Sequence, residues 1–194
     1  MKLPESVCVY CGSESGKSVV HRESAKRLGR ILAENDIGLV YGGGSIGLMG
    51  ALASEMLEAG GSVVGIIPKQ LQSLEVALTT VSELVVVDTM HERKKQMFKR
   101  SDAFVTLSGG LGTLDETFEV ITWRLLGIHD KPIVIVNSDG YWSHFIDLVE
   151  KVIREGFAHA SSRDLFAVVE SVDEVLPAIS TLPPARSAAA GGML

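Results

Sequence analysis

Several features that mark specialised classes of protein are scarce in this 194-residue chain. It has only two cysteines, which excludes a disulfide-rich scaffold. Aromatic residues make up 6% of the chain, too few for a platform on which nucleic-acid bases stack. The formal net charge is −6, so a broad nucleic-acid-binding surface, which needs an excess of basic residues, is not expected. No apolar run approaches the roughly 20 residues of a membrane span, and we expect no membrane partner.

The N-terminal segment and the two cysteines fit an intracellular protein. Residues 1–11 have no basic segment followed by a long apolar core, so they do not resemble a secretory signal, and we expect a cytoplasmic location. Cys8 and Cys11 have the C-x-x-C spacing of redox and zinc motifs. Residues 7–11 have the pattern of a β-strand, however, in which positions three apart point to opposite faces. Two buried, reduced thiols are therefore expected.

Metal-ligand spacing is also missing from the sequence. The five histidines, at positions 21, 91, 129, 144 and 159, are scattered along the chain with no spacing typical of a metal site. We expect no metal and no other cofactor.

The chain alternates strand-like and helix-like segments. Apolar, β-branched runs predict strands at residues 7–11, 37–41, 63–67, 84–87, 103–107, 133–136 and 166–169. Amphipathic stretches predict helices near residues 19–34, 48–59, 91–100, 114–126 and 141–154. This alternation predicts an α/β fold: one Rossmann-like, doubly wound domain with a parallel sheet of about seven strands flanked by helices. We place that domain at residues 1–182 and predict that residues 183–194, rich in Pro, Ala and Gly, form a disordered tail.

Ligands of such sheets bind beyond the carboxyl ends of the strands, so the loops there are candidate sites. The first, Cys11-Gly12-Ser13, offers amides and a hydroxyl but is also ordinary turn chemistry. The second begins at Gly42, and Gly42, Gly44 and Gly47 match G-x-G-x-x-G. No acidic residue follows at the end of the next strand, which disfavours a dinucleotide. These glycines serve either a ligand or close packing of helix on sheet.

The third loop opens a helix that is rich in cations. Arg93 and Lys94 lie about one turn into it, near the carboxyl end of the preceding strand. They form either a solvated face that pairs with glutamates or a clamp for an anion or a ribose oxygen.

The fourth loop, Ser108-Gly109-Gly110-Leu111-Gly112-Thr113, follows a buried strand and leads into a helix. Small residues, free amides and a helix N-terminus form a phosphate cradle. It is not a Walker A loop, because no lysine follows the glycines. Thr113 and Glu116 also match the capping box T-x-x-E, which leaves a structural explanation open for that glutamate.

A resemblance to a known family rests on three strings taken together: SGGLGTLDETFEVITWRLLGIHDKPIVIVN, with MHERKKQM upstream and YGGGSIGLMG earlier. The chain resembles the LOG ("Lonely guy") family of cytokinin riboside 5′-monophosphate phosphoribohydrolases, long labelled "lysine decarboxylase-like". The similarity covers residues 7–169, nearly all of the predicted domain. The combined motif PGGxGTxxE with an upstream Arg-Lys pair is far more specific than either glycine loop alone.

The resemblance implies catalytic roles for Glu116 and Arg93. Combined with the four loops, it gives the following candidate substrate-binding residues: Ser13, Gly43, Gly44, Glu75, Met90, Lys94, Gly109, Gly110, Leu111, Gly112, Thr113, Asp115 and Thr122. It also implies a homodimer with active sites near the subunit interface. The chain departs from the motif at Ser108, which replaces its proline. Proline would fix φ and restrict Leu107, whereas serine loosens that constraint and keeps the amides, so we expect the fold and the phosphate site to survive the substitution.

The activity implied by the resemblance is hydrolysis of the N-glycosidic bond in adenine-type nucleoside 5′-monophosphates, N6-modified ones included. Its products are the free base and ribose 5-phosphate. Three alternatives remain: a non-catalytic nucleotide or molybdenum-cofactor carrier on the same fold, a nicotinamide oxidoreductase, and a lysine decarboxylase. The last would need a cofactor such as pyridoxal phosphate on a Schiff-base lysine, and no lysine stands out for that role.

Overall fold

The structure, a computed structural model, describes residues 3–72, 78 and 80–182. Seven strands form one parallel sheet: β1 Ser6–Tyr10, β2 Gly38–Tyr41, β3 Val63–Pro68, β4 Glu83–Val87, β5 Ala103–Thr106, β6 Ile133–Val136 and β7 Ala167–Val169. The predicted fold class is confirmed, and each predicted strand lies within a few residues of an observed one.

Six α-helices flank the sheet in the described part of the chain: α1 Val19–Glu34, α2 Gly47–Glu58, α3 Met90–Lys99, α4 Leu111–Leu125, α5 Ser143–Arg154 and α6 Val175–Thr181. Short 3₁₀ turns occupy Lys69–Leu71, Ser138–Gly140, Ala160–Leu165 and Val172–Glu174. The sequence predicted the first five helices but not α6. That helix is only seven residues long and has Pro177 in its first turn. Backbone N–H groups of the first turn have no partner within a helix, so the missing N–H of proline breaks no helical hydrogen bond there.

Two apolar layers cover the two faces of the sheet. One packs α1, α2 and α6 on the sheet and includes Leu28, Leu52 and Ile179. The other packs α3, α4 and α5 on the opposite face and includes Met97 and Val120. Nearly continuous apolar strands are what a sheet covered on both faces requires.

The two cysteines belong to different layers, as their spacing predicts. Cys11 lies with the layer of α1 and α2, and Cys8 with the layer of α3 and α4. Both are buried and free. Burial raises the pKa of each thiol far above its ordinary value of 9.0, so both stay protonated at neutral pH.

The strand order places the centre of the sheet at β1. The order is β4-β3-β2-β1-β5-β6-β7, so the chain winds outward from β1 to β4, crosses back, and continues from β5 to β7. The winding direction reverses between β1 and β5, whose Val7 and Ala103 are paired. Where the loops after two neighbouring strands run in opposite directions, a crevice opens between the loops. Ligands of doubly wound sheets bind in this crevice.

No helix in the described ranges is long and apolar enough to cross a membrane. The predicted tail, residues 183–194, lies outside the described residues, so the domain boundary at residue 182 stays a prediction.

Candidate active site

A pocket of about 190 Å³ lies at the carboxyl ends of the central strands, beside the reversal between β1 and β5. Its walls come from the ends of β1 and β2, the start of α3 and the start of α4. The predicted residues that line it are Ser13, Met90, Arg93, Gly110, Leu111, Gly112, Thr113, Asp115 and Glu116. Another cavity, of about 330 Å³, lies between α1 and α2 and has none of the predicted residues of the described ranges in its lining.

Five predicted residues fall outside the lining of this pocket: Gly43, Gly44, Lys94, Gly109 and Thr122. The first two are buried in the loop after β2, and Gly109 directly precedes the pocket wall. Thr122 is exposed on α4. Glu75 lies outside the described residues.

The start of α3 places Arg93 in the pocket. The side chain of Thr89 accepts a hydrogen bond from the Glu92 amide at 3.1 Å and so caps the helix at Met90. Arg93 then falls in the first turn and is buried, with 5% of its surface exposed. Its Nη2 donates to the Gly42 carbonyl at 3.2 Å. A guanidinium fixed in this way is presented to the cavity in one orientation, which suits an anion or ribose oxygen.

Two glycines after β2 lie where a side chain would have no room. A Cβ on Gly42 would lie 2.0 Å from Arg93 Nη2, so the guanidinium occupies the space of the missing side chain. Gly47 has φ +63° and would place a Cβ 2.2 Å from the Ser13 carbonyl. Gly42 thus packs against a side chain and Gly47 against a backbone carbonyl, rather than helix on sheet, and a ligand role for this loop stays a prediction.

Helix α4 begins earlier than the capping-box interpretation requires. It starts at Leu111 with Gly110 as its N-cap, and no side chain caps it. Thr113 is therefore the third residue of the helix, and Thr113 and Glu116 do not form a capping box; that explanation for the glutamate is wrong. Glu116 lies more than one turn inside α4 and is buried, with 9% of its surface exposed. Its position on the pocket wall is not explained by capping.

The N-terminus of α4 contributes backbone amides to the same pocket. The amides of Leu111, Gly112 and Thr113 lie in the first turn, where backbone N–H groups have no partner within the helix. A 15-residue helix also presents the positive end of its dipole here. The residues that line the pocket can therefore bind a phosphate on main-chain donors.

The charges of Glu116 and Arg93 both affect the pKa of Cys11, whose thiol lies in the pocket wall. Burial raises the pKa of Cys11, the negative charge of Glu116 raises it further, and Arg93 opposes this effect. Cys11, Glu116 and Arg93 line one cavity, so the carboxylate and the guanidinium both face the space a substrate would fill.

Three methionines are among the apolar residues of the wall: Met49, Met90 and Met97. Sequence reasoning named only Met90 and missed Met49, Met97 and Gly42. Gly42 had a signal, since it is the first glycine of the loop after β2. The buried Met49 and Met97 look like ordinary core residues in the sequence, and only the fold shows that they reach the cavity.

Lys94 points to the neighbouring helix. Its Nζ lies 3.1 Å from Asp115 Oδ2 and 3.0 Å from Glu119 Oε1, both on α4. Burial lowers the pKa of Lys94, but its bonds to the two carboxylates outweigh burial and hold the pKa above the ordinary 10.5. Lys94 is thus largely buried and pairs with carboxylates of α4, which differs from the solvated face that the sequence offered as one alternative, and its role in substrate binding stays a prediction.

Within residues 3–72, 78 and 80–182, no three His, Cys, Asp or Glu side chains are grouped so that they could hold a metal ion.

Comparison with known proteins gives both a family and a fold. Residues 49–179 match the family model described as "Possible lysine decarboxylase". The cytokinin riboside 5′-monophosphate phosphoribohydrolase LOG1 of Arabidopsis thaliana is 43% identical over 178 residues, which covers 92% of this chain and 84% of that protein. The probable cytokinin riboside 5′-monophosphate phosphoribohydrolase LOGL9 of Oryza sativa subsp. japonica is 47% identical and covers 88% of this chain and 78% of that protein.

Among solved structures, the molybdenum cofactor carrier protein of Chlamydomonas reinhardtii has a TM-score of 0.69 at 20% identity, covering 91% of this chain and 96% of that one. At that identity the likeness shows the shared fold alone.

Proposed function

Since this chain belongs to the LOG family, we propose that it hydrolyses the N-glycosidic bond of adenosine 5′-monophosphates, N6-modified ones included. The products are the free base and ribose 5-phosphate. One observation carries the proposal: a buried arginine and a buried glutamate line the same pocket as the uncapped N-terminus of α4. A nucleoside monophosphate offers a phosphate to that helix and a ribose to the two charged side chains.

In this proposal, the substrate's phosphate binds to the amides of Leu111, Gly112 and Thr113. Breaking the bond between C1′ and the base nitrogen builds positive charge on the ribose, as in glycoside hydrolysis. The Glu116 carboxylate stabilises that charge and orients the attacking water or takes its proton. The water oxygen bonds to C1′, and the departing base nitrogen gains a proton. Arg93 holds ribose or phosphate oxygens and fixes the geometry.

The first test is chromatography of AMP and isopentenyl-AMP after incubation with the purified protein. Wild type is expected to release adenine or isopentenyladenine together with ribose 5-phosphate. Glu116→Gln keeps the size of the side chain and removes its charge, and it is expected to lower kcat about 100- to 10,000-fold, the range of a general base.

The matched control is Glu34→Gln at the exposed end of α1, which is expected to keep wild-type activity. Binding of AMP without release of base from either nucleotide would contradict the proposal and favour a carrier. Full activity in Glu116→Gln would remove Glu116 from the catalytic role.

We also propose that the protein acts as a homodimer through an apolar stripe on α4, formed by Leu111, Phe118 and Leu125. These residues are spaced seven apart, so they lie along one side of the helix, and all three are exposed. Exposed apolar patches of this kind are typical of interaction surfaces. Leu111 is 84% exposed and also lines the pocket, so a second copy bound to the stripe reaches the pocket rim. The exposed Thr122 lies on the same side of α4.

A further inference from the structure

The loop that precedes α4 is tied to α1 through the residue that departs from the family motif. Ser108 is buried where that motif has proline, and its Oγ lies 2.9 Å from Nδ1 of His21. His21 is the third residue of α1, which starts at Val19 because Ser18 caps it. The two hydrogen-bonded side chains are 87 positions apart in the sequence.

The imidazole of His21 also contacts Tyr141, a second side chain that holds the same loop by a hydrogen bond. Its ring packs edge-on against Tyr141, with 5.1 Å between ring centroids. The Tyr141 hydroxyl donates to the Gly109 carbonyl at 2.6 Å. The Gly12 amide donates to the Ser108 carbonyl at 3.0 Å. Consecutive residues of the loop are thus held by α1, by the segment after β6 and by the loop after β1.

A serine at this position needs such a tether. Proline would fix its own φ and push the preceding residue to extended backbone, whereas serine leaves both free. The amides that follow must stay aligned to bind a phosphate. A hydrogen bond from a side chain on α1 restricts the loop at the position where the covalent restraint of proline is missing.

We propose that His21 is a positioning residue that holds the phosphate-binding loop through Ser108 and so takes over the restraint of the motif proline. The inference rests on the proposed function of that loop. His21 does not line the pocket, so it acts on substrate binding only through the loop that it holds.

The test compares His21→Phe with His21→Asn. Phenylalanine keeps a ring against Tyr141 and removes the hydrogen bond, whereas the asparagine amide reaches the position of Nδ1 and restores it. His21→Phe is expected to raise KM for AMP about 3- to 10-fold, which corresponds to one hydrogen bond, with kcat within about twofold of wild type. His21→Asn is expected to recover most of that loss. The control is His144→Phe, a fully exposed histidine on α5, which should leave KM unchanged.

Ser108→Pro decides whether the effect passes through Ser108. In that background the covalent restraint is present, so His21→Phe is expected to change KM less than about twofold. An equal loss in both backgrounds would overturn the inference, as would a wild-type KM in His21→Phe or a loss confined to kcat.

Calorimetric binding of AMP to wild type and to all of these variants separates this inference from the proposed function. If wild type binds AMP but releases no base, the proposed activity fails, while weaker binding in His21→Phe alone still supports the positioning role. If every variant binds AMP as tightly as wild type, the positioning role fails whatever the activity.

Discussion

Arg93 reaches the pocket because residue 42 has no side chain. The guanidinium donates to the carbonyl of Gly42 and occupies the volume that a Cβ there would take, 2.0 Å from Nη2. Met49 closes the other side, with its sulfur 2.9 Å from the same Cβ position. A Cβ at residue 42 would therefore displace the guanidinium.

We therefore expect Gly42→Ala to lower kcat/KM for AMP about 10- to 100-fold, because a displacement of about 1 Å in a positioning group can cost this much. The measurement is steady-state kinetics with thermal unfolding of the same samples. Gly38→Ala is the matched control, since its Cβ would meet nothing closer than 3.5 Å. Unchanged kinetics in a folded Gly42→Ala variant would show that the position of Arg93 does not matter for turnover.

Helices α3 and α4 are joined at the site by the ammonium of Lys94 between Asp115 and Glu119. The lysine is 12% exposed, whereas Asp115 is 61% exposed, so solvent weakens the ion pair between Lys94 and Asp115. Without the lysine, two carboxylates one turn apart on α4 face each other without a countercharge. The contact holds the two helices that carry Arg93 and Glu116.

Replacing Lys94 by methionine is expected to lower the free energy of unfolding by about 1 kcal/mol at pH 7, a value discounted for solvent. The folded-state pKa of Lys94 is raised above its ordinary 10.5, so this stabilisation is fully present below pH 10.5 and is lost as pH rises through the folded pKa. Urea unfolding of both proteins at pH 7 and pH 11 checks this. The control is Lys95→Met, at a neighbouring lysine that is 57% exposed. If wild type and Lys94→Met differed in free energy of unfolding by as much at pH 11 as at pH 7, the stabilisation could not be assigned to the charge of Lys94.

The elements that sequence reasoning found are those with long, periodic apolar patterns. All seven strands and α1 to α5 follow from such patterns. Helix α6 was missed because seven residues with an internal proline carry no periodic signal. The start of α4 was placed late because Thr113 and Glu116 match a capping box, whereas the observed N-cap, Gly110, makes no side-chain bond that a sequence pattern could indicate.

The site was predictable where its residues belong to a motif and lie in loops after strands. Glu116 and the glycines of the fourth loop follow β5, which lies beside β1, whereas Arg93 is brought to the same pocket by α3, which leads from the edge strand β4 back to β5. The contact between His21 and Ser108 could not be predicted, since it depends on how α1 packs beside a loop 87 residues away. The cytoplasmic location, the homodimer and the absence of nucleic-acid binding stay predictions.

At the scale of the whole molecule, the α4 stripe predicts an assembly. Light scattering with size-exclusion chromatography is expected to give twice the chain mass of 20.8 kDa for wild type. Leu125→Glu places a charge in the stripe and is expected to give the monomer mass, because an unpaired buried charge is costly. Val19→Glu, at a 74% exposed apolar residue on α1, should leave the mass unchanged. A dimer that survives Leu125→Glu would place the interface elsewhere.

The central position of β1 leaves one of its edges without a partner during part of synthesis. β1 is made first, yet one of its two edges pairs with β5, whose Ala103 is the partner of Val7. At roughly 5–20 residues per second, the ribosome leaves that edge without its partner for about 5–20 s. An open apolar strand edge is a template for pairing with other chains. The edge of β1 that pairs with β5, in the middle of the finished sheet, is thus an open edge of the nascent chain until β5 has been made.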